Sequence, residues 1–228
     1  MRIWEQFVDY VTDPATWTGT GSFWVRLFDH MWVSVVATLI ALLAVFPLAL
    51  YLGHIRRGSQ AATVIVNIGR ALPSFGILAV AFLVLVEMGA GVGTPWSILA
   101  ALIALAAPPI FTNAIAGIQA VHPATVEAAR GMGLTEREVL MDIELPMAMP
   151  LVMEGVRLAF VQVIATATLG ALVAWGGLGR YIIDGFAVRD NGEILFGALA
   201  VGFLAVVAEV GFSKIQRAVT PKGLKVVR

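Results

Sequence analysis

The residues able to do chemistry are few in this 228-residue chain, and they do not assemble into a catalytic set. There is no cysteine, which removes thiol chemistry, disulfides and thiolate metal sites. The three histidines, His30, His54 and His122, are scattered with no H-E-x-x-H arrangement, so neither a metal site nor a hydrolase is expected. The stretch GAGVGT at 89–94 lacks the lysine that reaches nucleotide phosphates in a P-loop. The chain is therefore not expected to be an enzyme, and it calls for no cofactor of its own.

What remains is a set of polar groups within or beside apolar runs. Arg70, Glu154, Arg157 and Glu209 are ionisable groups of this kind, which are costly in such a setting and normally face protein or water. Glu154 and Arg157, spaced i,i+3, suit either a structural pair or a gating role. Arg70 suits snorkelling or the capping of a neighbouring helix end. The uncharged Asn113, Gln162, Thr166 and Thr168 suit either a hydrophilic substrate path or hydrogen bonds between helices.

The elements that position these groups follow from composition. The chain is 59% hydrophobic and 13% charged, against roughly 45–50% and about 25% in a soluble domain. The uncharged runs are long enough to cross a hydrocarbon core, which takes about 20 helical residues. A β-barrel would alternate apolar and polar residues, and these runs do not. Five helical spans are expected, at Met31–Gly53, Ala61–Val86, Trp96–Ile118, Pro150–Trp175 and Ile194–Phe212. Pro108-Pro109 is expected to bend the third or end its regular hydrogen bonding.

Fifteen basic and fifteen acidic residues cancel, leaving no footprint for nucleic acid. The distribution of basic residues is more informative. Arg56, Arg57, Arg130, Arg137, Lys214, Arg217, Lys222, Lys225 and Arg228 fall on one side of the five spans, and Arg2, Arg26, Arg180 and Arg189 on the other. That asymmetry predicts a cytoplasmic C-terminus and an outside N-terminus. Charges interrupt residues 1–30, so no cleaved signal is expected there. Ile3, Trp4, Phe7, Val8 and Val11 recur at helical spacing, which suits a helix in the membrane interface or an ordinary packed terminal helix. The expected organisation is one membrane domain: a segment 1–30, a core 31–213 and a basic tail 214–228.

The longest polar stretch between spans, His122 to Pro146, reads HPATVEAARGMGLTEREVLMDIELP. Pro123 suits a first helical position, and Gly131 and Gly133 suit its closure. Thr135 with Glu138 forms a capping box that opens a second helix, expected to stop near Leu145-Pro146. Within this stretch Glu127, Ala128, Ala129, Gly133, Ile143, Leu145 and Pro146 match the pattern E-A-A, three residues, G, nine residues, I-x-L-P. The segment thereby resembles the cytoplasmic loop of the permease subunits of ABC importers.

The resemblance covers about residues 31–213, and it implies an all-α, polytopic membrane protein with the type I importer permease fold. In that family the loop carries the coupling helix, which sits in a groove of a separate ATPase subunit. Small side chains at Ala128 and Ala129 suit close approach of the helix backbone to such a partner, and Gly133 suits the turn. The implied partners are ATPase subunits that hold ATP and magnesium, a second permease chain, an external binding protein and the lipid membrane. Looser similarity, in RALPS at 70–74, ATATLGALVAWGGLG at 165–179 and DPATWTG at 13–19, resembles the permeases for glycine betaine, choline and related osmoprotectants. Trp175 departs from the small residue expected before Gly176-Gly177. Methionine or another small nutrient stays open as cargo. A secondary transporter or channel is the rival of a different class, though the spans offer no midplane carboxylate for an ion.

Overall fold

A computed structural model describes residues 3–69 and 73–220. It is all-α among the described residues, as the apolar runs predict. Four helices are long and apolar enough to cross a membrane: Phe23–Ile55, Trp96–Gln119, a composite helix Glu136–Val173, and Asn191–Val219. In chain order the helices are α1 (Ile3–Thr12), α2 (Pro14–Trp17), α3 (Phe23–Ile55), α4 (Ser59–Gly69), α5 (Ser74–Glu87), α6 (Trp96–Gln119), α7 (Pro123–Gly131), α8 (Glu136–Glu138), α9 (Leu145–Thr166), α10 (Gly179–Val188) and α11 (Asn191–Val219).

The expected second span is not one continuous helix. Its residues form α4 and α5, of 11 and 14 residues, each too short to cross alone. Pro73 marks the start of α5 with ψ 127°, outside the helical region. A proline lacks the N–H for a helical hydrogen bond and disfavours helical geometry in the residue before it. Arg70, and with it the RAL of the RALPS motif, lies outside the described residues, as do Arg2, Lys222, Lys225 and Arg228. The helix entering the basic tail runs on to Val219, carrying Lys214 and Arg217.

Prolines elsewhere are absorbed. Pro47, Pro108-Pro109 and Pro150 all lie inside helices, so the pair in α6 does not end it. Thr112 Oγ1 donates to the Pro108 carbonyl at 2.8 Å and Asn113 Nδ2 to that of Pro109 at 2.9 Å. Both side chains thus bond back to carbonyls one turn earlier, within the proline-containing stretch of the helix.

The chain divides into two compact units. The first comprises the described residues within Met1–Thr38, Leu72–Ile103 and Phe160–Ala208. Its core is Leu178, Tyr181, Phe196 and Val201, against which Phe7, Tyr10, Val11, Trp17, Phe23 and Leu27 pack. Tyr181 and Phe196 meet edge to face at 5.1 Å between ring centroids, a geometry the ring quadrupoles favour. α1 is therefore packed through Phe7, Tyr10 and Val11, while Ile3, Trp4 and Val8 stay exposed. His30 is buried and accounts for both ring nitrogens. Nε2 donates to the Ile164 carbonyl at 2.9 Å and Nδ1 accepts from the Leu178 N–H at 3.3 Å.

The second unit comprises the described residues within Leu39–Ala71, Ala104–Ala159 and Glu209–Arg228. Ala49, Leu50, Phe111, Ala114, Ile115, Ile118, Ala148 and Val152 form its main core. α6 and α9 approach closely at Gly155, where a Cβ would lie 2.6 Å from the Pro109 carbonyl oxygen and from Asn113 Cβ. Arg157 joins α9 to α11. It pairs with Glu154 in its own helix, with Glu209 at 2.9 Å, and donates to Ser213 Oγ at 2.9 Å. The i,i+3 pair read from sequence is present, and Glu209 makes it a three-membered cluster.

Candidate functional site

The 122–146 segment lies within the second unit. Helix α7 opens at His122, whose Nδ1 accepts the Ala124 N–H at 3.2 Å, with Pro123 as its first residue. Val126 and Ala129 are buried with Val121 and Val139, and Leu134 and Ile143 pack against this small core. Each fully buried aliphatic side chain of this size contributes about 1.5–3 kcal/mol. The opposite face of α7 presents Glu127 and Ala128 to the exterior. The helix thus holds itself by one face and offers the other.

Its end is built on Gly133, which has φ +89°. The Leu134 N–H reaches back to the Ala129 carbonyl at 3.2 Å and the Gly133 N–H to that of Arg130 at 2.9 Å. This paired closure requires a left-handed residue, for which glycine is suited. No atom lies within 4 Å of a Cβ built at Gly133, so the restriction there is conformational rather than steric crowding. Gly131 is simply the last helical residue.

The capping box is formed in both directions. Thr135 Oγ1 accepts the Glu138 N–H and Glu138 Oε2 accepts the Thr135 N–H. The helix it opens does not stop at Leu145-Pro146. It continues through a π-helical stretch, Val139–Glu144, into α9. Leu145 donates to the Leu140 carbonyl five residues back, not four. The helix is widened by one residue just before Pro146, whose ring lacks the N–H for a regular ladder bond. Leu145 then packs against the main core of the unit, and Pro146 is half-buried within the helix.

A cluster invisible in the motif holds this hairpin to α3. Glu144, the unspecified residue of I-x-L-P, is fully buried. Its Oε2 meets His54 Nδ1 at 2.5 Å, and His54 Nε2 meets Glu136 Oε2 at 2.9 Å. Glu136 in turn binds Arg130 in a fork, at 2.9 and 2.8 Å. That pairing raises the Arg130 guanidinium above its ordinary value. Each His54 nitrogen faces a carboxylate oxygen, so both hydrogen bonds form only with an imidazolium or with a proton on one carboxyl group. Arg56 adds a bond to the Val121 carbonyl at 2.9 Å. These side chains line a cleft of about 410 Å³ with Tyr51 and Val126.

The polar residues of the spans are distributed differently. Asn113 belongs to the second unit, where it is half-buried and engaged with the Pro109 carbonyl. Gln162, Thr166 and Thr168 belong to the first. Gln162 is exposed, and Thr168 Oγ1 donates to the Ala165 carbonyl at 2.8 Å where α9 tightens into a 3₁₀ stretch, Ala167–Val173.

An all-α chain with several membrane-length apolar helices, joined by a capped polar hairpin, defines the class as a multi-pass membrane protein. Residues 45–223 match the family described as binding-protein-dependent transport system inner membrane component, and the chain belongs to that family. It is similar to the glycine betaine/carnitine/choline transport system permease protein OpuCB of Bacillus subtilis (strain 168), 33% identical over 91% of this chain and 93% of the relative. It is likewise similar to the carnitine transport permease protein OpuCB of Listeria monocytogenes, 32% identical over 90% and 91%. Among solved structures, inward-facing MetNI methionine ABC transporter gives a TM-score of 0.78 at 21% identity, covering 92% of this chain and all of the other. An amino acid ABC transporter with histidines gives 0.74 at 18%, covering 93% and 98%. The fold is that of ABC importer permeases.

Proposed function

We propose that this chain is the permease subunit of an importer for osmoprotectants bearing a quaternary ammonium, of the glycine betaine, choline and carnitine class. The cargo reading rests on the relatives at about one-third identity, whose named substrates are all of this class. The coupling reading rests on one observation: the motif residues Glu127 and Ala128 occupy the exposed face of a short helix whose other face and both ends are tied down.

A helix so built is pushed as a unit rather than deformed. A separate ATPase subunit, holding ATP and magnesium, engages the face of Glu127 and Ala128. Ala129, expected from its size to face that partner, is instead packed on the buried side of the helix and fixes it to the hairpin. Gly133 sets the turn, and Ile143, Leu145 and Pro146 carry the displacement into α9. Two permease chains enclose the path, an external binding protein delivers cargo, and α4 with α5 completes a fifth crossing. The C-terminus is cytoplasmic and the N-terminus outside. Asn113, Gln162, Thr166 and Thr168 are assigned to the path.

The cargo is tested by uptake in a strain lacking other osmoprotectant importers and supplied with this permease, its ATPase and its binding protein. Labelled betaine or choline accumulates under osmotic stress. Accumulation of methionine with neither betaine nor choline would overturn the cargo assignment.

A further inference from the structure

The first unit holds an arrangement that the coupling site does not use. Trp32 on α3 and Trp175, after the 3₁₀ stretch, stand with ring centroids 6.2 Å apart and planes tilted by 41°. Trp32 is exposed and Trp175 half-buried. Asp29 lies one turn before Trp32, and its carboxylate lies against Gly176, next to Trp175. A Cβ at Gly176 would be 2.5 Å from Asp29 Oδ2, so the glycine is what admits the carboxylate there.

Packing explains the two rings, since tryptophans gather at membrane edges. It does not explain the carboxylate. Among the described residues Asp29 has no hydrogen-bond or ion-pair partner. The nearest cation in sequence, Arg26 one turn earlier, is committed to Asp184 at 3.7 Å, to Glu193 at 3.9 Å and to the face of Tyr181 at 4.2 Å.

Two aromatic faces with an unpaired carboxylate are what a methylated ammonium selects. Such a cation has no N–H to donate, so it gains little from hydrogen-bond acceptors and much from ring faces within about 6 Å and a formal negative charge. Rings whose centres are this close let one cation lie within that reach of both. We infer that Asp29, Trp32 and Trp175 form a binding site for a quaternary ammonium group on the permease itself. The site rests on the transport reading above and places a cargo contact at the loop 174–177. The departure of Trp175 from a small residue is then a feature of cargo recognition.

The test is direct binding to the assembled permease–ATPase complex in lipid nanodiscs without binding protein, read by calorimetry. The probes are choline, tetramethylammonium and the neutral isostere of choline in which carbon replaces nitrogen. Both cations bind saturably, and the isostere binds about tenfold or more weaker. Asp29→Asn and Trp175→Leu each weaken choline by about tenfold, while Trp175→Phe stays within about threefold, because phenylalanine keeps a ring face. Trp96→Leu, at another exposed tryptophan of the same unit, changes nothing. Equal binding of the isostere, or an Asp29→Asn complex that assembles and binds choline as before, would overturn the site. So would absence of choline binding by a wild-type complex whose ATPase still responds to loaded binding protein, leaving the transport reading intact. Failure of the wild-type complex to transport any quaternary ammonium would remove the cargo reading on which the site rests.

Discussion

Gly133 shows what a single residue contributes. Its φ of +89° is one that β-branched side chains adopt only under strain, at a cost on the order of 1–3 kcal/mol. A Gly133→Val variant should insert and assemble, yet lose about tenfold or more in uptake per complex as the turn is distorted. Uptake normalised to membrane protein checks this, and normal uptake would remove the coupling role. The turn was legible because E-A-A and G stand at a fixed spacing. His54 was not, because its partner Glu144 is 90 residues away and fills the position the motif leaves open. Glu144→Leu removes the partner of His54 Nδ1 in a partly buried site, and a hydrogen-bonding group left unsatisfied costs about 1–3 kcal/mol. The His54→Leu, Glu144→Leu double variant should recover part of that loss in thermal unfolding of the complex. Additive losses would show that the two residues are not coupled.

The helices obey local rules up to the points where tertiary packing overrides them. The capping box of Thr135 and Glu138 forms as its spacing predicts. Thr135→Ala should therefore raise hydrogen exchange in 136–140 by about fivefold, equivalent to roughly 1 kcal/mol. Unchanged exchange would mean that the π stretch and its packing hold the segment alone. The same rules misplace two boundaries. Leu145-Pro146 reads as a stop, but a π turn carries the helix through it. The run 61–86 reads as one span because its hydrophobicity is nearly unbroken, whereas the backbone responds to Pro73 and divides it. Hydropathy reports the solvent a segment prefers, and proline reports where its hydrogen-bond ladder breaks.

At the scale of the molecule, membrane character and all-α class follow from composition alone, and the family follows from seven residues in one polar hairpin. The proposed orientation rests on the arginine and lysine asymmetry, and reporter fusions at Lys222 and within 176–192 should report from opposite sides of the membrane. The most direct test of the whole account is the ATPase activity of the purified permease–ATPase complex in lipid. Binding protein loaded with betaine or choline should stimulate hydrolysis severalfold over unloaded binding protein, and Gly133→Val should abolish that stimulation while leaving the basal rate. Hydrolysis indifferent to the loaded binding protein in the wild-type complex would contradict the account.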